Sequence, residues 1–330
     1  MKRLERYYEN INSKITPDEL VERVTAEEFE KKEKKQRRSF KFAGVIAAAA
    51  AVLSLGITAG ANGISFMDVF KDLFGERAEG LEENVVEGAE ITADTMENLD
   101  LRLIAAASDS HSVLYVVEVT AKNGFRLGEN HIGDARADLD FSINFEESDN
   151  TGGISGGTNG GIKMIEGDEN RAVVSIYETA SFDITGMNTV LSIWEYTDEK
   201  PADVDISEIH HYAYFDDDGN EVYRYRNTER EWQVKFTAEG KSEEYELDNG
   251  VTLSLSPISA VFSGTGRVPV SVYNVLTLVT KDGGELDFRY PGSVFIDSSQ
   301  FAAQSFTFLE PVNIDEVKEI RINNRTVIEF

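Results

Sequence analysis

The chain reads as a mainly β protein: short cytoplasmic helices, one transmembrane helix, then two antiparallel immunoglobulin-like β-sandwich domains. Three observations lead there. Phe42 to Met67 contains no charged residue, and positions 31–41 just before it hold seven basic side chains. From Leu99 onward the apolar residues recur with a period of two, the spacing of strands whose side chains alternate between faces. Charge also divides at the uncharged run. Residues 1–41 carry 12 basic and 9 acidic side chains, net +3, whereas residues 68–330 carry 20 and 51, net −31.

The first element is amphipathic. Leu4, Tyr7, Tyr8, Ile11 and Ile15 fall at helical spacing and form one apolar stripe. Thr16-Pro17-Asp18-Glu19 then supplies a hydroxyl N-cap, a Pro at the first helical position and a Glu completing the capping box. Leu20, Val21 and Val24 continue this second helix, and Thr25-Ala26-Glu27-Glu28 opens a stem that runs through the basic cluster. A chain of about 40 residues seldom buries enough surface to fold alone. Leu4, Tyr7, Tyr8, Ile11, Leu20, Val21 and Val24 are therefore expected to meet a partner: a protein groove, with the membrane surface or a disordered segment as the alternatives.

The next element is the span, residues 42–61, FAGVIAAAAAVLSLGITAGA. About 20 apolar residues suffice to cross about 30 Å of hydrocarbon as a helix. Eight of these twenty are Ala, so insertion leans on Val45, Ile46, Val52, Leu53, Leu55 and Ile57. Lys31, Lys32, Lys34, Lys35, Arg37, Arg38 and Lys41 are the topology signal. Basic residues flanking a span stay in the cytoplasm, which places 1–41 inside, the C-terminus outside and the protein in the cell membrane as a single-pass chain. Two other readings compete with a span. Ala59-Gly60-Ala61 resembles a signal-peptide cleavage site, yet such peptides fit within about 15–30 residues and 41 residues precede this run. A buried Ala-rich core helix would leave the basic cluster without a role.

Beyond the span, Ser65 to Gly75 reads as a short helix closed by Gly, and the rest as strands. The expected runs are Leu99–Leu103, Val113–Val119, Asp138–Phe145, Ala172–Tyr177, Thr189–Tyr196, Trp232–Phe236, Val251–Leu255, Val270–Val279, Ser305–Leu309, Val317–Ile322 and Thr326–Phe330. Length and turn spacing suggest two sandwiches, 62–240 and 250–330, parted by the polar stretch 240–249. Net −31 over this part disfavours nucleic acid and anionic headgroups as partners. The absence of cysteine removes thiolate metal sites and disulfides.

Candidate chemistry is sparse, and no cofactor is expected. His111, His131, His210 and His211 are the four histidines, and all read as surface residues. Gly152 to Gly161 lacks the Lys-Ser/Thr ending of a phosphate loop and reads as a hairpin loop. Asp216-Asp217-Asp218-Gly219-Asn220-Glu221 offers oxygen ligands for weak calcium binding, but Asp-Gly-Asn also suits a hairpin turn between Tyr212–Phe215 and Val222–Tyr225. Trp194, Trp232, Tyr212, Tyr214, Tyr223 and Tyr225 read as sheet packing, with a carbohydrate- or peptide-binding face as the alternative.

Several segments in order carry a resemblance: Asn10-Ile11-Asn12 through Pro17-Asp18-Glu19-Leu20, the Lys/Arg cluster and Ala-rich span, and Phe70-Lys71-Asp72-Leu73-Phe74-Gly75. The Trp232 strand, Leu255-Ser256-Pro257-Ile258-Ser259 and Ile314-Asp315-Glu316-Val317-Lys318-Glu319-Ile320-Arg321-Ile322-Asn323 complete it. Together they resemble the Gram-positive membrane family catalogued as domain of unknown function 4179, described as anti-sigma-factor-like. The resemblance implies a cytoplasmic N-terminus that holds a sigma factor and an outer β-rich sensor for an extracellular ligand. The His and Cys pattern of zinc-containing anti-sigma domains is absent here. The expected function is thus a non-enzymatic membrane-anchored regulator. The alternative is an exported binding or adhesion module on an anchor, without signalling; an outer hydrolase ranks below both.

Overall fold

The structure, a computed structural model, describes residues 65–86, 88–124, 127, 139–146, 158–167, 170–197, 211–215, 221–247, 250–265, 274–288, 291–296 and 302–330. The predicted span at 42–61 and every predicted partner-binding and topology residue lie outside them. Among the described residues no helix is long and apolar enough to cross a membrane.

Mainly β is the architecture, with four antiparallel sheets and one α-helix among the described residues. Helix α1 (Phe66–Phe74) starts as the sequence predicts. Ser65 Oγ accepts from Asp68 N at 3.1 Å while Asp68 Oδ2 accepts from Ser65 N at 3.2 Å, a reciprocal capping box. Gly75, at φ +63°, ends it, and a 3₁₀ turn, Gly75–Ala78, follows.

The first β body contains β1 (Glu90–Asp94), β2 (Leu99–Ser108), β3 (Ser112–Ala121), β4 (Leu139–Glu146), β5 (Thr158–Gly167), β6 (Arg171–Ala180), β7 (Asn188–Thr197), β8 (His211–Phe215) and β9 (Glu221–Thr237). One sheet runs β2-β3-β6-β5; the other runs β1-β9-β7-β4, with β8 beside β9. Both sheets feed one core. Tyr115 on β3 reaches across, its hydroxyl 2.8 Å from Thr189 Oγ1 on β7 and its ring 5.1 Å from that of Phe236 on β9. Leu191, Ile193, Trp232 and Val234 join it.

The second body contains β10 (Glu243–Leu247), β11 (Val251–Leu255), β12 (Ser259–Gly264), β13 (Leu276–Thr280), β14 (Glu285–Phe288), β15 (Pro291–Ile296), β16 (Ala302–Thr307), β17 (Val317–Ile322) and β18 (Arg325–Glu329). Its sheets run β10-β11-β12-β16-β15 and β14-β13-β17-β18. Leu253, Phe262 and Phe306 from one meet Leu278 and Ile320 from the other in a second core. Glu243–Leu247 pairs with β11, so the polar stretch read as the break between domains contains an edge strand.

Two expectations need correction. Thr158 to Gly161 lie in β5, paired to β6, and not in a hairpin loop. The glycines are there because a Cβ on Gly161 would sit 2.3 Å from Tyr177 Oη, and one on Gly160 2.7 Å from the Tyr177 carbonyl oxygen; the partner strand occupies the side-chain space. His111 is only 8 % exposed, because the tight turn that carries it is covered rather than solvated. The expected pairing of Tyr212–Phe215 with Val222–Tyr225 is present as β8 on β9.

Candidate functional site

The most organised polar cluster of the described residues lies where the two bodies meet. It is built from two tight turns of the same design. In the β2–β3 turn, Asp109 N donates to Ser112 O at 2.9 Å, and Asp109 Oδ1 accepts from His111 N at 2.6 Å and Ser112 N at 2.5 Å. In the β11–β12 turn, Ser256 N donates to Ser259 O at 2.9 Å, and Ser256 Oγ accepts from Ile258 N and Ser259 N, each at 3.1 Å. Short oxygen-bearing side chains hold such turns by mimicking a backbone carbonyl.

The two turns clasp each other through Asp109. Its second oxygen, Oδ2, accepts from Ser259 Oγ at 2.6 Å and from Ser256 Oγ. Asp109 is wholly buried, and its four hydrogen bonds compensate for its removal from water. Beside it, Ile258 is 1 % exposed and packs into the core of the first body, although its turn belongs to the second. Further polar bonds extend the joint. Ser112 Oγ donates to Thr179 Oγ1 at 2.8 Å, which lies 2.7 Å from Thr307 Oγ1 on β16. Ser110 Oγ donates to Ser242 Oγ at 2.7 Å and lies 2.9 Å from His111 Nδ1.

Ser110, His111 and Asp109 are not arranged as a nucleophilic triad. All four Asp109 bonds go to backbone N–H groups and to Ser256 and Ser259, so Asp109 does not orient the imidazole. Burial pulls the His111 pKa below its ordinary value, against the opposing pull of Asp109, Asp183 and Glu244.

The segment that follows α1 is sewn to both bodies. Asn84 Nδ2 donates to Ser108 O and to Lys241 O, each at 2.9 Å. Gly240 passes so close that an added Cβ would stand 1.7 Å from Ser108 O. Glu310 of the second body takes Lys163 Nζ from β5 at 3.0 Å and the Arg77 guanidinium from the 3₁₀ turn. Burial raises the Glu310 pKa, but Lys163 and Arg77 outweigh it, and the net direction is downward.

Other charged and aromatic groups serve the first body internally. Glu195, 2 % exposed, accepts from Asn98 N, Asn98 Nδ2 and Leu99 N at 2.7, 3.1 and 3.0 Å. Glu118 lies between Arg102 and Arg171. Asp140 pairs with Arg226, which sits 4.1 Å over the Trp194 ring. Trp232 is fully buried, Tyr225 is buried and Tyr223 is exposed, so Trp232 and Tyr225 act as sheet packing, while Trp194 is half-buried beneath Arg226. An open groove of about 540 Å³ is lined by Glu82, Glu83, Glu239 and Lys241 among others, beside Ser108 and Gly240.

Leu4, Tyr7, Tyr8, Ile11, Leu20, Val21, Val24, Lys31, Lys32, Lys34, Lys35, Arg37, Arg38 and Lys41 lie outside the described residues, as do His131, His210 and Asp216–Asn220. Among the described residues no group of three or more His, Cys, Asp or Glu side chains is placed to hold a metal ion. The joint leaves little mark on the sequence. Its sequence traces are Ser108-Asp109-Ser110-His111-Ser112 and Ser256-Pro257-Ile258-Ser259, which on their own look like ordinary turns.

No family model matches the chain, and no curated protein matches it. Among solved structures, the crystal structure of a conserved domain protein from Bacillus anthracis is similar at a TM-score of 0.41 and 16 % identity, over 77 % of this chain and 83 % of that one.

Proposed function

We propose that the chain is a single-pass membrane regulator of the anti-sigma-factor type. Residues 1–41 would hold a sigma factor on the cytoplasmic side through Leu4, Tyr7, Tyr8, Ile11, Leu20, Val21 and Val24, and the β bodies would sense a ligand outside the cell. The observation that carries this reading is the uncharged run from Phe42 to Met67 behind seven basic residues, which splits the chain into a small apolar-striped segment and a large acidic body. We read each two-sheet body as an immunoglobulin-like sandwich, a reading supported by two antiparallel sheets feeding each core. We read the protein as non-enzymatic.

Signalling of this kind needs two states that differ in affinity for the sigma factor. The interlocked turns and the Glu310 clamp favour a body that moves as one piece with α1, so that a change outside reaches the span. The experiment is a transcriptional reporter for a candidate cognate sigma factor. Deleting residues 1–30 is expected to raise its transcription several-fold, and a peptide of residues 1–41 is expected to gain helical circular dichroism on mixing with that sigma factor. Unchanged transcription together with an unchanged spectrum would favour the anchored adhesion module instead.

A further inference from the structure

We propose that the joint between the two β bodies is an acid-sensitive latch, closed while His111 is uncharged and Glu310 is ionised, loosened as His111 takes up a proton and further as Glu310 does. The inference goes beyond the regulator reading and does not depend on it, because it concerns only groups within the β bodies and the 3₁₀ turn.

Around the Ile258 peg, the bonds across the joint are polar: Asp109 to Ser256 and Ser259, Ser110 to Ser242, Thr179 to Thr307, and Glu310 to Lys163 and Arg77. Polar contacts of this kind lose their advantage when water enters, so opening the joint costs mainly the withdrawal of Ile258 from the first core and leaves the sheets themselves paired. His111 stands beside the joint, 8 % exposed, with Nδ1 2.9 Å from Ser110 Oγ, the hydroxyl that donates across it to Ser242 Oγ. The charged groups facing its ring are Asp109 from its own turn, Asp183 from the loop between β6 and β7, and Glu244 from β10. All are acidic, yet burial dominates and keeps the imidazole neutral. Opening the joint would hydrate the ring and let it accept a proton, so acid favours the open form.

The sign is the same at both groups. A histidine held below its ordinary value of 6.5 stabilises the closed joint above that pH and ceases to do so as pH falls below it. A glutamate held below 4.5 by Lys163 and Arg77 stabilises the joint above 4.5 and loses this as pH falls further. The latch therefore weakens in two steps, His111 first and Glu310 second. Each coupled proton can shift the open-to-closed ratio by at most about tenfold per pH unit.

The chain has no cysteine, so a double variant accepts spin labels only where they are placed. Asp100→Cys on β2 and Arg325→Cys on β18 are exposed and sit on different bodies. Distances are measured by pulsed electron resonance on the full chain in detergent. At pH 7.5 one narrow distribution is expected; by pH 5.0 a second population should grow at least about threefold while far-ultraviolet circular dichroism stays constant. His111→Gln should blunt that growth, and Glu310→Gln should show the second population already at pH 7.5. The proposal is overturned by a distribution that does not change between pH 7.5 and 5.0, or by a change that coincides with loss of the sheet signal. It is overturned equally by a His111→Gln response that matches the parent. If His111→Gln does not fold, the Glu310→Gln distribution decides, and one identical to the parent at pH 7.5 sinks the latch.

Discussion

Asp109 concentrates the argument in one side chain. A buried carboxylate with four donors around it is stabilising only as a complete set, since removing the acceptor strands Ser256 and Ser259 as well as two backbone N–H groups. Asp109→Asn keeps the volume but replaces one acceptor oxygen with a donor. We expect it to lower unfolding free energy by about 3 kcal/mol, read from urea denaturation, with the spectrum of the folded protein retained. A loss below half a kilocalorie would mean that the joint carries no strain when its acceptor is gone. Asp109 is nearly illegible in the sequence. Asp flanked by Ser and His is what any solvated turn looks like, and the burial that gives it meaning comes from residues 147 and 150 positions further on. His111 misled for the same reason, because nothing local says that a turn is covered by another body.

Among the elements, the hairpin between β17 and β18 offers a clean contrast. Asn323 and Asn324 occupy left-handed backbone at φ +51° and +64°, the conformation of a tight hairpin turn. They differ in side-chain duty. Asn323 Oδ1 accepts from Val275 N at 2.9 Å and its Nδ2 donates to Asn274 Oδ1 at 2.8 Å. We expect Asn324→Gly to be neutral or stabilising by a few tenths of a kcal/mol, and Asn323→Ala to cost about 1–2 kcal/mol, by thermal or urea unfolding. Strands with one face buried were readable from alternation, as at Leu99–Leu103 and Val317–Ile322. β3 is buried on both faces from Ser112 to Val119, so its apolar run is nearly continuous and still reads as a strand. The strands that escaped include β12, central in its sheet and mostly buried, and β15; three others are of another kind. β1 (EITAD), β10 (EEYEL) and β14 (ELDF) are edges, and charge on an edge blocks unwanted pairing while making the segment look like linker. β5 escaped because its glycines yield to Tyr177.

For the molecule as a whole, composition says more than any motif. The net −31 of residues 68–330 needs no partner to explain it, since high charge keeps a body soluble; the seven basic residues at 31–41 set the direction of the proposed insertion. The ligand proposed for the outer part leaves no such trace, because a contact surface on a sheet uses the same aromatic and polar residues as ordinary packing. The measurement that bears most directly on the proposal is sidedness in intact cells. With no native cysteine, Ser13→Cys and Arg325→Cys variants can be probed one at a time with a membrane-impermeant thiol reagent, the product being followed as the full-length chain in the membrane fraction. The expected result is labelling at 325 in intact cells and at 13 only after lysis. Equal protection of both positions, or a full-length chain that remains in the supernatant after ultracentrifugation, would contradict it.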